Sequence, residues 1–124
     1  MTRDAAVSRH DRRRYVSLRG RSEFERIYRE GRRSRVRHLV VIEAAGLPGP
    51  AQVGFVVGRR VGKAVVRNRV RRRLREAAAL VDLGEGNAYI VIADRGAAES
   101  RLADLVVGMG QAVEADRRPS EGGA

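Results

Sequence analysis

The stretch VGFVVGRRVGKAVVRNRVRRRLREA, residues 53–77, joins three local sequence patterns. It begins with a β-branched apolar run and continues into the glycine-punctuated basic segment GRRVGK, residues 58–63. It then enters a segment in which apolar residues recur at helical spacing. A strand that leads directly into a long helix is typical of a domain that mixes sheet and helix.

The helical segment, residues 63–80, is amphipathic, with one apolar side and one cationic side. On a helical wheel the apolar positions fall together, namely Val66, Val70, Leu74, Ala77 and Val81. The opposite side carries Arg67, Asn68, Arg71, Arg72 and Arg75. Arg69 and Arg73 lie on the border, where their aliphatic stems can cover apolar surface while their guanidinium groups stay in water. The pattern predicts a helix that buries one face and exposes arginines on the other.

The spacing of these arginines favours an external anion over an ordinary solvated surface. Arg67, Arg71 and Arg75 stand four residues apart, and like charges at that spacing destabilise an isolated helix. Glu76 is the only acidic residue in the segment that could relieve the repulsion. Arginine also binds phosphate bidentately and stacks on bases.

Charge and composition restrict the classes of partner. The chain has 124 residues and a formal net charge of +11. Residues 1–76 hold 21 arginines and one lysine against seven acids, whereas the remainder is net acidic. Such asymmetry favours a nucleic acid, and the sequence offers no bulky amphipathic membrane anchor. With no cysteine and only two histidines, disulfides are excluded and a zinc site is disfavoured. We expect a cytoplasmic protein that has no membrane partner.

The flanking segments complete an α-β-β-α-β-α order. A helix is predicted over about 22–30, with a capping box formed by Ser22 and Glu25 and a stop at Gly31. Strands are predicted over 37–45 and 51–57, paired antiparallel across GLPGP, and over 88–94, which is apolar on both faces and therefore central. Ser100 is expected to cap a last helix over 100–115.

The predicted fold class is α+β: a two-layer α-β sandwich, in which a small sheet carries helices mainly on one side. Residues 1–14 are interpreted as a basic flexible arm, 15–116 as the domain and 117–124 as a flexible tail.

Residues 53–77 closely resemble the signature of the bacterial ribonuclease P protein component. The resemblance rests on Arg67-Asn68-Arg69, on the apolar Val70 that follows, and on the basic pair Arg59-Arg60 that precedes Gly62. EFERIYREGRR (23–33) resembles the first helix of the family, and AYIVIADRGAA (88–98) resembles its last strand, so the likeness spans about 18–107. It implies a small mixed sheet with a left-handed βαβ crossover through the arginine-rich helix, against the usual right-handed preference.

The resemblance also implies a function. It identifies the small subunit of the ribonucleoprotein endonuclease that removes the 5′ leader from precursor tRNA, in which a large RNA with bound Mg²⁺ is the catalyst. The protein then binds the catalytic RNA and the leader and raises the affinity for substrate and Mg²⁺. No catalytic residue, protein-bound cofactor, metal site or small-molecule substrate is expected in this chain.

The RNA-binding residues that the resemblance implies are Arg59, Arg60, Lys63, Arg67, Asn68, Arg69, Arg71, Arg72 and Arg75. Phe24, Tyr28 and Phe55 resemble members of the cleft that receives the leader, where aromatic rings stack on single-stranded bases. Packing in the core is the alternative for all three and is favoured for Phe55. Asn68 can alternatively bond the backbone of the bend at 62–65. The chain departs from the family in having Ile42 where an aromatic is common and Arg73 where an apolar residue is common.

Three alternatives remain from the residues themselves. A structural RNA-binding protein, such as a small ribosomal protein, shares the size and charge but lacks the motif of residues 67–76. A DNA-binding regulator needs a helix directly before the recognition helix, and none is predicted. A protein nuclease needs clustered carboxylates, whereas the acids here are scattered and neither His10 nor His38 has an evident carboxylate partner.

Overall fold

The computed structural model describes residues 15–117, with side chains described through residue 114. Its elements in chain order are β1 (Tyr15–Ser17), α1 (Arg21–Glu30), β2 (Arg32–Val36), β3 (Leu39–Ala45), β4 (Ala51–Val57), α2 (Ala64–Leu80), β5 (Asn87–Ala93) and α3 (Leu102–Arg117). Two short 3₁₀ helices, Arg59–Val61 and Arg95–Glu99, follow β4 and β5. The predicted arm at 1–14 and all of the predicted tail except Arg117 lie outside the described residues.

The five strands form one mixed sheet in the order β1-β4-β5-β3-β2. β5 is central, as predicted, and pairs parallel with β4 and antiparallel with β3. The predicted direct pairing of 37–45 with 51–57 is wrong, because β5 lies between β3 and β4. Four consecutive residues of β5 are buried, so this strand needs cover on both faces and both edges, which only a central position provides.

Two edge strands were not predicted. β2 pairs antiparallel with β3, so the predicted strand at 37–45 begins only at Leu39, after a tight turn in which Arg37 has a φ of 52°. β1 is three residues long and pairs parallel with β4. Both strands lie at an edge, where polar residues are tolerated because one side of the strand faces solvent.

The helices lie mainly on one face of the sheet, as predicted. On that face α2 and α3 pack against the strands through a core that includes Val70, Leu74 and Met109. α1 covers the other face, where Ile27 packs with Ile42. α2 connects the parallel neighbours β4 and β5 and is therefore the crossover helix. The left hand of this crossover stays a prediction from the family resemblance.

The predicted side-chain caps are both wrong. Gly20 is the N-cap residue of α1, which has no side-chain cap hydrogen bond, and Ser22 lies two residues later, inside the first turn of the helix. The Ser100 hydroxyl instead donates to the carbonyl oxygen of Gly96 at 3.1 Å. α1 ends before Gly31 as expected, with the Gly31 N–H donating to the Ile27 carbonyl.

Candidate nucleic-acid interface

α2 has the two faces that its sequence predicts. Val70, Leu74 and Ala77 are fully buried against the sheet, and Val66 and Val81 are half-buried at the edge of the same core. On the other side Asn68, Arg72 and Arg75 are exposed, with Arg67 and Arg71 half-exposed beside them. The fold thus holds the arginine face rigidly through the apolar face beneath it.

The arginines of α2 bond to neutral oxygens. Arg67 donates from Nη1 to the Gly62 carbonyl at 3.0 Å, and Arg73 donates to the Ser100 carbonyl at 3.1 Å. Within residues 15–117, none of the arginines on this helix forms an ion pair. The positive charge of the helix is therefore not neutralised by the described part of the chain.

Asn68 orients a neighbouring guanidinium group. Its Oδ1 accepts a hydrogen bond from Nη1 of Arg71 at 3.2 Å. The bend at 62–65, which was one possible partner of Asn68, is held by Arg67 instead. Asn68 itself is exposed, and its amide group carries two N–H donors besides this acceptor.

Arg69 and Arg73 occupy the border of the apolar face, as the wheel predicts. Both are half-buried. The Nε atom of Arg69 is buried and has no hydrogen-bond partner among the described residues. Arg73 is tied to the segment before α3 through its bond to Ser100. The guanidinium at this border position is thus accommodated by a backbone carbonyl acceptor.

The N-terminus of α2 adds to the positive potential. Its N-cap residue Lys63 makes no side-chain cap bond, and the first turn contains no acidic residue. Arg59, Arg60 and Lys63 are all exposed there. Gly62 has a φ of 153°, which favours glycine and turns the chain sharply into the helix. Unpaired N–H groups, the helix dipole and three cations together favour a bound anion.

A cavity of about 800 Å³ opens where the parallel strands β4 and β5 end. Arg59, Arg60 and Arg95 line it, together with His38 and Asp94. Sequence patterns could not group these residues, because they come from three separate segments that meet only when β5 pairs with both β3 and β4. The cavity extends the basic surface from the N-terminus of α2 across the end of the sheet.

His38 does have a carboxylate partner, contrary to the expectation from sequence. Its Nδ1 lies 3.2 Å from Oδ1 of Asp94. The same Asp94 oxygen accepts a hydrogen bond from the Gly96 N–H at 2.8 Å, and Arg35 lies 3.6 Å from its other oxygen. Among residues 15–117, His, Asp and Glu side chains do not gather in the groups of three that a metal site needs. The Asp94 carboxylate therefore joins the β2–β3 turn to the segment after β5.

The three candidate leader-binding aromatics do not lie together. Phe24 and Tyr28 are on α1, on one face of the sheet; Phe24 is half-buried over Gly54, and the Tyr28 side chain is 37% exposed. Phe55 lies on the opposite face, where its ring packs edge-on against Tyr15 with centroids 6.0 Å apart. The structure therefore separates Phe55 from the other two and packs it, partly buried, against the core. Ile42 is fully buried beneath α1.

These features define a class of protein: a small α+β domain whose rigid crossover helix presents an unneutralised arginine face to a polyanion. No helix within residues 15–117 has the length and hydrophobicity of a membrane span. The family model for ribonuclease P matches residues 5–115. The chain belongs to the ribonuclease P protein family.

Individual relatives agree with this assignment. The ribonuclease P protein component of Acidothermus cellulolyticus is 46% identical over 93 residues, covering 71% of this chain and 77% of the relative. That of Symbiobacterium thermophilum is 42% identical over 94 residues, covering 71% and 79%. The solved ribonuclease P protein of Thermotoga maritima superposes with a TM-score of 0.71 at 24% identity, covering 80% of this chain and 96% of that one. The Staphylococcus aureus protein gives 0.67 at 21% identity, covering 82% and 95%; these two likenesses establish the fold.

Proposed function

We propose that this chain is the protein subunit of ribonuclease P and that its α2 face binds the catalytic RNA of the holoenzyme. The observation that carries the proposal is the absence of any ion pair to the arginines of α2 within the described residues. A row of guanidinium groups without ion pairs does not stabilise the protein alone, since like charges four residues apart destabilise their own helix. It gains value when phosphates neutralise it.

The spacing of the helix suits an RNA backbone. Arg67, Arg71 and Arg75 follow one another at about 6 Å along the axis, from the rise of an α-helix. Each guanidinium can bind a phosphate through two parallel N–H donors. Arg59, Arg60 and Lys63 continue the basic surface past the helix N-terminus, and Arg69 and Arg72 border it. Contacts to phosphates position the RNA and require no particular base sequence.

In this proposal the RNA subunit cuts and the protein binds. The chemistry belongs to Mg²⁺ held by RNA, and the protein contributes positive charge. Arginines that neutralise crowded phosphates reduce the number of cations that the RNA must recruit, so the holoenzyme works at lower Mg²⁺. Phe24 and Tyr28, on the opposite face from α2, are the proposed contacts of the 5′ leader, through stacking. The cytoplasmic location predicted from sequence stays a prediction.

Reconstitution tests this function. The protein is mixed with ribonuclease P RNA and precursor tRNA at low Mg²⁺ and physiological salt, and the rate of leader removal is measured. We expect a large rate increase over RNA alone, which shrinks at high Mg²⁺. The same cleavage rate with and without protein at low Mg²⁺ contradicts the proposal. No observation favours the ribosomal or DNA-binding alternatives.

A further inference from the structure

A tyrosine and an arginine meet where α1 passes into β2. The guanidinium carbon of Arg33 lies 5.8 Å from the centroid of the Tyr28 ring. Tyr28 is in the last turn of α1 and Arg33 is the second residue of β2, with the α1 stop at Gly31 between them. At this distance the cation is attracted to the face of the ring.

The strand register directs Arg33 toward the α1 face of the sheet. The Cα partner of Arg33 is Ile42, whose side chain is buried beneath α1. The preceding residue, Arg32, pairs with Glu43 and points to the opposite face, because side chains alternate along a strand. Among the described residues β2 is the outermost strand of the sheet, so Arg33 stands at the sheet edge beside the exposed Tyr28.

The charge of Arg33 is not compensated locally. The nearby acids of α1 are engaged elsewhere: Glu23 pairs with Arg26 at 2.9 Å, and Glu30 pairs with Arg26 and Arg29. Arg33 has no ion pair with any residue in the range 15–117. It is exposed, as is Tyr28. The pair therefore offers two planar surfaces and an unneutralised set of N–H donors at one point on the surface.

We propose that Tyr28 and Arg33 together bind one nucleotide of a single-stranded RNA, the 5′ leader of the substrate. The base stacks on the ring or the guanidinium plane, while the remaining N–H donors of Arg33 bind its phosphate. This inference rests on the proposed function and adds Arg33 to the residues that recognise substrate. Stacking tolerates any base, as a subunit that acts on many precursor tRNAs requires.

The experiment compares Arg33→Ala with Arg32→Ala in the reconstituted holoenzyme. The two changes remove the same charge from adjacent positions of one strand but from opposite faces. Affinity is measured for precursor tRNA with a leader and for mature tRNA. We expect Arg33→Ala to weaken binding of the precursor about 5- to 30-fold and to leave mature tRNA unchanged, from the strength of base stacking plus one phosphate contact. Arg32→Ala should affect neither.

Two further variants separate charge from stacking. Arg33→Lys retains the charge but not the plane, so it should recover only part of the loss. Tyr28→Ala combined with Arg33→Ala should weaken binding by less than the product of the single losses, because both hold the same nucleotide. Urea unfolding of each variant verifies that its stability matches the wild type.

The outcomes separate this inference from the proposed function. If the wild-type protein stimulates cleavage at low Mg²⁺ and Arg33→Ala behaves like Arg32→Ala, the nucleotide-binding pair is wrong and the proposed function stands. An equal loss of affinity for precursor and mature tRNA also contradicts the inference, because the contact is then not with the leader. If the wild-type protein does not stimulate cleavage at low Mg²⁺, the proposed function itself is wrong.

Discussion

At Gly54 the absence of a side chain determines how α1 lies on the sheet. A Cβ atom at this position would come within 2.5 Å of the Phe24 ring and 3.3 Å of Leu18. The ring therefore lies directly on the backbone of β4 and fills the space that a side chain would take. Phe24 is accordingly part of the small core beneath α1, whatever it also contacts on its open side.

Gly54→Ala should destabilise the protein by about 1–3 kcal/mol, because the added methyl group must displace Phe24 and overpack this core. Gly58→Ala is the matched control, since a Cβ atom there meets open space and φ is −84°. Urea unfolding measures both variants. If Gly54→Ala is as stable as Gly58→Ala, the packing described for Phe24 is incorrect.

Tyr89 joins the connector after α2 to the central strand. Its side chain is fully buried, and its hydroxyl accepts a hydrogen bond from the Gly84 N–H at 2.9 Å. Burial raises the pKa of Tyr89 above its ordinary value of 10.0, although the Gly84 bond acts in the opposite direction. The neutral phenol is therefore favoured by folding.

Tyr89→Phe should lower the free energy of unfolding by about 1–2 kcal/mol at neutral pH, because the Gly84 N–H loses its acceptor. Above about pH 10 the unfolded wild type releases the phenol proton before the folded protein does, so wild-type stability falls as pH rises. The difference between wild type and Tyr89→Phe should then shrink. Urea unfolding at pH 8 and at about pH 10.5 measures it; a difference that grows with pH contradicts the raised pKa.

Among the elements, α2 and β5 could be predicted from sequence because burial alone determines them. The apolar side of α2 repeats at helical spacing, and β5 is apolar on both faces. β2 could not be predicted, since RRSRV has only one apolar residue and is stabilised by pairing with β3 at the sheet edge. The predicted pairing of β3 with β4 was wrong, because the turn cluster that connects these two strands does not reveal that β5 inserts between them.

The candidate site also has parts that local sequence patterns predict and parts that they do not. The arginine face of α2 follows from periodicity, and the roles proposed for its residues rest on the motif. The basic cavity with Arg95 and the His38–Asp94 pair depend on strand pairing between distant segments. The Tyr28–Arg33 contact depends on the pairing of β2 with β3, which directs Arg33 toward α1. Phe24 lies over Gly54 on one face of β4, whereas Phe55, the next residue of β4, points to the other face because side chains alternate along a strand.

Replacing Arg67, Arg71 and Arg75 by alanine should weaken binding of the catalytic RNA and reduce its salt dependence by about one phosphate per residue. Stability should change by less than about 1 kcal/mol, since two like-charge pairs are relieved while the bond to Gly62 and the exposed bond to Asn68 are lost. Binding is titrated over a range of salt concentrations.

Arg73→Ala is the internal control for this prediction. It removes the same charge from the same helix, but its guanidinium is bonded to the Ser100 carbonyl. We expect it to cost stability, by about 1 kcal/mol for the lost hydrogen bond, and to change the salt slope less than Arg75→Ala does. Equal slopes for the two variants argue against an ordered arginine face.

At the scale of the whole molecule, the sheet separates the two proposed RNA-binding surfaces. α2 lies on one face with its arginines outward, and α1 lies on the other with Tyr28 and Arg33 at its edge. One protein can thus contact the catalytic RNA and a single-stranded leader at the same time without the two competing for one surface. The five-stranded sheet lies between the two surfaces and holds them apart.

This separation predicts that substitutions on the two faces weaken binding independently of each other. Tyr28→Ala should weaken leader-dependent substrate binding and leave the affinity for catalytic RNA unchanged, whereas Arg75→Ala should do the reverse. The double variant should show the sum of the two free-energy losses within about 0.5 kcal/mol, because the sites share no partner. Both affinities are measured in the four proteins of the cycle. A larger coupling means that the leader and the catalytic RNA contact a common surface, and the two-face arrangement is then wrong.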